Sequence, residues 1–452
     1  MVKGTIYALA AGERASDASW FRQLRHISES ALEIAVAIRL NAPHKIFYMH
    51  HATSQDDLFE LRLLVEELVC HVLRLTHEAN DGVAPGDVCI QQEVPLGTGS
   101  VFADIHVTVP SVGAYFAEVK LGYTPERLLE SLRRKFTTSD PRLPEANRLV
   151  LVYDLDPHSR PALQEKIRAL LPAHWALEVW DMSALLQRLQ EHFGIQLDAL
   201  TLECMQDLRA AVDRRKGEYA FGAAAANEPL EASLLWQFSP WRLREMFAKA
   251  EGNKRRILEP ASYPAAVVVF ADLCGFSGYV RDTPRGRTIQ TSLSAFCSKA
   301  RHQIINDGGM LYQFLGDAVI GIFGVPDQAA GYESRSFECA RALLEIGASV
   351  SNEWQRRIDR LQPVQGAHIG MAIGEMQFLS LRPFSRTHLG IIGDAINMAA
   401  RLSSAAQSGE IVMSNSLQTQ LPFGVQQKLR ETEPIEAKNV GRIKAWRFAS
   451  AA

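Results

Sequence analysis

The sequence predicts two domains of different class: an α/β domain with a mixed sheet over 1–208, and an α+β domain of ferredoxin-like order over 261–452, joined by a helical connector over 209–260. Three observations carry this. The chain has 452 residues, more than the ~100–200 of one domain. Its first half alternates apolar residues spaced three and four apart with strand-like runs. Its last part runs strand, helix, two strands, helix, strand, with additions.

In the first half, 22–40 and 57–79 repeat apolar residues on one helical face, and KIFYM (45–49) between them is long enough only for a short strand. Turn-rich 81–87 leads into three strand-like runs, 88–96, 101–109 and 114–121, separated by Gly, Ser and Pro, which is a meander. Thr124 followed by Pro125 is an N-cap with proline at the first helical position, so 124–136 is read as a helix. A buried strand at 148–155, a helix at 161–171 and a strand at 176–182 complete the domain.

The pattern weakens over 209–260, where GEYAFGAAAANEPLEA (217–232) reads as a connector and 239–260 as a helix with a basic end. The second domain then opens with the strand formers PAAVVVFADL (264–273). A helix over 286–306, a hairpin over 308–324 turning at Gly316-Asp317, a long helix over 328–358 and a strand over 365–373 come next. A further hairpin runs to Ile392, a helix covers 393–406, and strands near 410–413 and 442–449 close the domain.

Charged residues are 22% and hydrophobic residues 47% of the chain, the composition of a globular protein able to build cores. Lys+Arg 48 against Asp+Glu 51 gives a net charge of -3. That balance removes the global footprint of sequence-independent nucleic-acid binders and argues against nucleic acid as a partner, while leaving room for a local basic groove. The six cysteines are scattered, with no CxxC pair and no Cys/His cluster at metal spacing, as expected of reduced thiols. No run of ~20 apolar residues would span a bilayer, and the charged N-terminal stretch resembles neither a signal nor a transit peptide. A cytoplasmic protein is the expectation.

Asp272 ends a buried apolar strand and Asp317 occupies a hairpin turn. Taken singly, each is also what caps a strand or shapes a turn. Together, carboxylates flanked by apolar strands are costly unless compensated, and divalent cations bound to substrate phosphates would compensate them. Asn397 and Arg401 fall at i and i+4 on one helical face, opposite Met398 and Leu402. Such a pair is either a solvated surface pair or an amide and guanidinium that hold a sugar and a charged phosphoryl oxygen.

FADLCGFSGY (270–279), GGMLYQFLGDAVIGIFG (308–324), GIIGDAINMAARLSSAAQSGEI (390–411) and GRIKAWRF (441–448) occur in that order. With them the stretch from Pro264 to Phe448 resembles the class III nucleotide cyclase catalytic domain, the adenylate/guanylate cyclase family. The resemblance implies that Asp272 and Asp317 bind two divalent metal ions, Mg²⁺ or Mn²⁺, with the Leu273 carbonyl as a further ligand, and that backbone amides of Cys274, Gly275 and Phe276 touch the phosphates. It implies that Asn397 orients the ribose, Arg401 stabilises the transition state and Lys444 grips the triphosphate. In this family the metal aspartates and the Asn/Arg pair come from different chains, which implies a homodimer with two composite sites.

Relatives that form cyclic AMP carry Lys four residues before the second metal aspartate and Asp or Thr seven before the asparagine; guanylate-forming relatives carry Glu and a Cys-like residue. Here Gln313 and Gly390 stand there. This departure resembles the pyrimidine cyclases of bacterial Pycsar antiphage systems, whose cyclic UMP or cyclic CMP activates a separate effector, and it implies UTP ahead of CTP as substrate. An adenylate cyclase with a relaxed base pocket is the alternative within the class.

A second constellation lies in the first half. Asp104, Glu118 and Lys120 fall on adjacent predicted strands, with Glu66 and Glu67 on a preceding helix. The pattern resembles the core of the PD-(D/E)XK nuclease-like fold, in which carboxylates bind Mg²⁺ and the lysine positions a water. The reading adopted is a regulatory front domain on a cyclase. The alternative of another class is a metal-dependent nuclease whose cyclase half only dimerises or binds nucleotide.

Overall fold

A computed structural model describes residues 54–97, 101–110, 112–153, 160–258, 261–326, 328–381, 388–437 and 441–449, all within one compact unit, Phe47–Ala452. The predicted helix at 22–40 and strand at 45–49 lie outside the described residues.

The front half opens with helix α1 (Gln55–Asp81), whose N-cap Ser54 forms a capping box with Asp57 and whose end is set by Gly82 at φ 64°. Strands β1 (Cys89–Leu96), β2 (Val101–Val109) and β3 (Gly113–Val119) form the antiparallel meander. Helix α2 (Pro125–Phe136) begins where the Thr124-Pro125 signal places it, the Thr124 hydroxyl accepting from the Arg127 amide. Then come β4 (Ala146–Val152), α3 (Arg160–Arg168), β5 (Ala176–Trp180) and α4 (Met182–Phe193). Strands β3, β4 and β5 are parallel, so the sheet order β1-β2-β3-β4-β5 is mixed. One face packs on α1, α4 and the following helix α5 (Met205–Phe221) through Val65, Val107, Ala117 and Leu189. The other packs on α2 and α3 through Phe116, Leu128, Leu132 and Ile167.

Within β1, Gln92 pairs with Ile105 and Val94 with Ala103, a continuous antiparallel register with no extra residue on either strand, and Glu93 between them sits at φ 55°. Across this irregularity the strand changes faces, Ile90 joining one core and Val94 the other.

The stretch read as a connector is more ordered than its composition suggests. Helix α5 runs through Phe221, and after a short 3-10 turn α6 (Pro229–Gln237) and α7 (Pro240–Lys249) follow, with Phe221, Leu234, Phe238 and Leu243 buried. The helix expected over 239–260 stops at Lys249. The alanine run and the weak periodicity hid an apolar set that is shared among three helices.

In the second half the elements are β6 (Ala261–Leu273), α8 (Phe276–Asp282), α9 (Gly286–Asn306), β7 (Met310–Leu315), β8 (Ala318–Phe323), α10 (Tyr332–Ile358), β9 (Ala367–Leu381), β10 (His388–Ile392), α11 (Asp394–Ser404) and β11 (Glu410–Ser414). The short strands β12 (Arg430–Glu431), β13 (Ile435–Ala437), β14 (Gly441–Ile443) and β15 (Ala445–Ala449) end the domain. The sheet order is β12-β15-β11-β9-β6-β8-β7, with β10 on β9. Its β9-β6-β8-β7 part is antiparallel and is the ferredoxin-like order.

Alternation along β6 sends Val267, Val269, Ala271 and Leu273 toward α9 and α10, and Ala266 and Val268 toward α11. Helix α11 lies against the sheet at Gly370, where a Cβ would come within 1.9 Å of the Ala399 carbonyl oxygen.

The two halves meet through α1. Its Asp56 accepts from Thr288 at 3.0 Å and pairs with Arg357, and Arg287 pairs with Asp57. Buried Lys299 of α9 donates to Glu66 at 2.6 Å and also pairs with Glu93, whose other oxygen accepts from Ser349 of α10.

Candidate active site

Asp272 is the penultimate residue of β6, in register with Ala318 of β8 and His368 of β9. Asp317 precedes Ala318 in the turn that Gly316 forms at φ 64°. Two carboxylates from distant parts of the sequence thereby meet at one end of the sheet's central strands. Burial pushes the Asp317 carboxyl above its usual range, and repulsion from Asp272 pushes it further.

His368 was not singled out by the sequence. Its Nε2 is 3.4 Å from Asp272 Oδ2 and its Nδ1 3.2 Å from Cys274 Sγ. The hydrogen bond to Asp272 first, then that to Cys274, raises the imidazole to about 9. A protonated ring thus stands beside Asp272 at neutral pH. Its only signal in the sequence is a histidine within the strand QGAHIGMAI (365–373).

The segment after β6 is tightly braced. The Cys274 amide donates to the Gly366 carbonyl at 2.9 Å, so that amide is already committed and does not wait for a phosphate as the resemblance implied. Gly275 adopts φ 69°, and a Cβ there would come within 2.9 Å of the Val364 carbonyl. Asp282 accepts from Gln362 at 2.9 Å and pairs with Arg360 at 3.2 Å. Trp354 of α10 packs on Tyr279 with ring centroids 4.9 Å apart and donates to Thr283 at 2.9 Å.

On α11, Ala399 and Leu402 are buried against the sheet, Asn397 is exposed and Arg401 is partly buried. The Arg401 Nη1 atom is buried without a hydrogen-bond partner among the described residues, an uncommon and costly state for a guanidinium. No hydrogen bond or ion pair among the described residues joins Asn397 or Arg401 to Asp272 or Asp317. Lys444 lies between β14 and β15 and pairs at 3.1 Å with Glu431, each side chain 53% exposed. Such a pair contributes only about 0–1 kcal/mol and is easily exchanged.

Gln313 is exposed on β7, just past a bulge that leaves Tyr312 out of register. Gly390 pairs with Leu379 in β10.

A match to the model of the adenylate and guanylate cyclase catalytic domain covers residues 258–449, the stretch that holds all of these side chains. Residues 258–449 form a class III cyclase catalytic domain. Among curated proteins, this chain is 25% identical over 174 residues to uncharacterized protein Rv1319c and 28% identical over 165 residues to uncharacterized protein Rv1320c, both of Mycobacterium tuberculosis (strain ATCC 25618 / H37Rv). The matches cover 37% and 36% of this chain but only 30% and 27% of those relatives. Among solved structures, the adenylyl cyclase CyaB from P. aeruginosa aligns at 21% identity and TM-score 0.38, covering 43% of this chain and 98% of that one. The guanylyl cyclase Cya2 aligns at 20% identity and TM-score 0.36, covering 42% and 94%.

Within the cyclase domain the donor set suits hard cations. Among the described residues no three His, Cys, Asp or Glu side chains converge as a self-sufficient metal cage. The facing carboxylates of Asp272 and Asp317 instead leave room for backbone and substrate oxygens as further ligands.

The front-half constellation also assembles. Lys120 pairs with both Asp104 and Glu118, and Lys135 of α2 reaches Asp104 at 2.9 Å and Glu118 as well. Burial would raise Asp104, but the two lysines hold it well below its usual range. Glu66, which the resemblance placed nearby, is turned to Lys299 instead, and Glu67 accepts from Ser298 at 3.3 Å. Sequence reasoning missed Lys135, which is one helical turn beyond Ser131 on α2 and carries no motif of its own. Among the described residues no helix is long and apolar enough to cross a membrane.

Proposed function

We propose that the cyclase domain converts a ribonucleoside triphosphate to its 3′,5′-cyclic monophosphate and pyrophosphate. The observation that carries this is the meeting of Asp272 and Asp317 at the ends of central strands within a cyclase catalytic domain. The substrate's 3′-oxygen forms a bond to its own α-phosphorus in line as the bond to the pyrophosphate oxygen breaks. Asp272, Asp317 and the Leu273 carbonyl would hold two divalent ions, Mg²⁺ or Mn²⁺, which when bound supply charge neutralisation and a more acidic 3′-hydroxyl. Asn397 fixes the ribose, and the unpaired Arg401 Nη1 donates to the charge that develops on the phosphoryl oxygens. Lys444 trades Glu431 for the triphosphate, and the amides of Gly275 and Phe276 face the phosphates.

The site is completed by a second copy of the chain. Among the described residues Asn397 and Arg401 make no bond to the metal aspartates of their own chain, and the exposed apolar side chains Leu315 and Ile392, 46% and 59% accessible, flank the Asp317 turn and the start of α11. Apolar surface at both half-sites suits burial in a homodimer.

The base is read as a pyrimidine, uracil ahead of cytosine, because the residues that match a purine edge are replaced by Gln313 and Gly390. A glutamine amide can donate to uracil O4 or accept from cytosine N4. By the same resemblance, the cyclic pyrimidine nucleotide would be an antiphage alarm signal read by a separate effector. Incubation of the purified chain with ATP, GTP, CTP and UTP and Mn²⁺, with products identified by mass, tests both levels. Cyclic UMP or cyclic CMP is expected. Efficient formation of cyclic AMP alone overturns the pyrimidine assignment but keeps the cyclase, and no cyclic product from any substrate overturns both. Gln313→Lys with Gly390→Asp should move activity toward ATP.

A further inference from the structure

A cleft of about 1230 Å³ opens between the front sheet and the cyclase domain. Its floor carries Asp104, Lys120 and Lys135, with the fully buried Glu118 paired to both lysines beneath them. One wall comes from α1 and α2, the other from the end of α10 and the segment 359–365. The volume exceeds the ~300–1,000 Å³ of pockets for drug-sized molecules.

Nine Lys and Arg side chains line the cleft against six Asp and Glu. The acids are largely consumed: Asp104 by the two floor lysines, Glu66 and Glu93 by Lys299, and Glu353 by Arg356 at 2.9 Å. Arg127 and Arg134, seven residues apart on α2, have no carboxylate partner among the described residues. Flat cationic stacks accompany them. The Arg127 guanidinium lies 4.6 Å from the Tyr123 ring centroid and Arg357 lies 4.1 Å from that of Phe59. Arg357 is held by Asp56, so among the described residues Arg127 combines a free guanidinium with an aromatic face and Arg134 adds a second free charge further along the helix. Free guanidinium groups and aromatic faces are the elements that grip the phosphates and bases of a single strand.

We propose that this cleft binds a single-stranded oligonucleotide, held and not cut. Lys135 occupies the place between Asp104 and Glu118 that a catalytic cation would need, so the four charges are already balanced. The near-neutral chain thus conceals a local basic groove. Occupancy is transmitted to the cyclase, a consequence that rests on the cyclase reading, whereas the binding does not. The transmitting element is 359–366: Arg360 and the 87% exposed Leu361 face the cleft, while Arg360 and Gln362 hold Asp282 and Gly366 holds the Cys274 amide beside Asp272.

The test uses the full chain and fluorescein-labelled single-stranded 12-mers of RNA and DNA, with binding read by fluorescence anisotropy at several salt concentrations. Binding that weakens with salt is expected, and Arg127→Glu with Arg134→Glu should weaken it at least tenfold. The milder Arg127→Ala with Arg134→Ala should flatten the slope of log affinity against log salt by about 1.4, the value for two lost single-strand phosphate contacts. Both arginines are on an exposed helix face, and an unchanged thermal melt confirms folding. No binding at low salt, binding indifferent to both double variants, or equal binding of a phosphopeptide overturns the assignment. Cleavage of the 12-mer in Mg²⁺ overturns the holding role. Hydrogen exchange of residues 274–282 should slow when the 12-mer is bound; unchanged exchange overturns the coupling, whatever the cyclase assays show.

Discussion

At the scale of single residues, the site is a set of charges held short of satisfaction. Asp317 is raised by burial and then by Asp272, and the Arg401 Nη1 atom has no hydrogen-bond partner among the described residues. Groups left unpaired in the resting protein strengthen their bonds only when charge develops, which lowers a barrier without tightening the ground state. Arg401→Ala is therefore expected to lower kcat by about 10²–10³ while KM moves only a few-fold. Steady-state kinetics with the preferred triphosphate checks this, and a rise in KM at constant kcat would make Arg401 a binding group instead. The aspartates were legible because a carboxylate at the end of VVVFAD (267–272) or in a tight hairpin turn is conspicuous against its apolar neighbours. His368 was not, because its pairing with Asp272 depends on the register of β9 against β6, ninety-six residues apart in sequence. Gln313 and Gly390 stand out by sequence position alone, and their distance from a base is a matter for the substrate panel.

At the scale of elements, helices and strands with local signals were readable in detail. The Thr124 cap and Pro125 fix the start of α2, and α9 spans the predicted 286–306. The helices α5 to α7 were not, since α5 divides its apolar residues between two cores and α6 and α7 are short. Helix α9 also carries a testable electrostatic fault. Asp307 caps its C-terminal end, where the helix dipole is negative, and burial pushes the carboxyl up to about 6. Gln303 donates to it at 2.7 Å. Because the folded value lies above the unfolded one of 3.8, stability is fully present below that pH and is lost as pH rises through about 6. Asp307→Asn keeps the shape and removes the charge. Its Tm should exceed that of the parent by a few degrees at pH 7.5, with the gap closing toward pH 4; an equal gap at both pH values would mean that packing, not charge, decides.

At the scale of the whole molecule, a chain that holds both half-sites and joins neither to the other calls for a partner copy. Asp317→Ala and Arg401→Ala are each expected to be strongly impaired alone, and a mixture should regain a large part of the parent activity as heterodimers form one intact site. Absence of recovery after subunit exchange, monitored with differently tagged chains, would place the whole site within one chain. The strand order of the second half was legible because its hairpins are local and its two long crossovers each carry a helix with an apolar face that packs on the sheet. The joining of the two halves was not, since Glu93, Lys299 and Ser349 come together from three places in the sequence.

That junction separates two meanings of the word domain. Similarity to the cyclase family begins at residue 258, so heredity treats the chain from there onward as a portable part. Glu93 adopts a left-handed backbone conformation, rare for a residue with a side chain, and sends a carboxylate into the seam between α9 and α10. Phe59 and Leu63 of α1 pack on the same core. The portable part and the part that melts as a unit therefore have different borders. Calorimetry of the full chain should show the two halves unfolding together, and residues 258–452 made alone should melt without a sharp transition; a fragment with its own cooperative melt would show that the seam can be opened without loss.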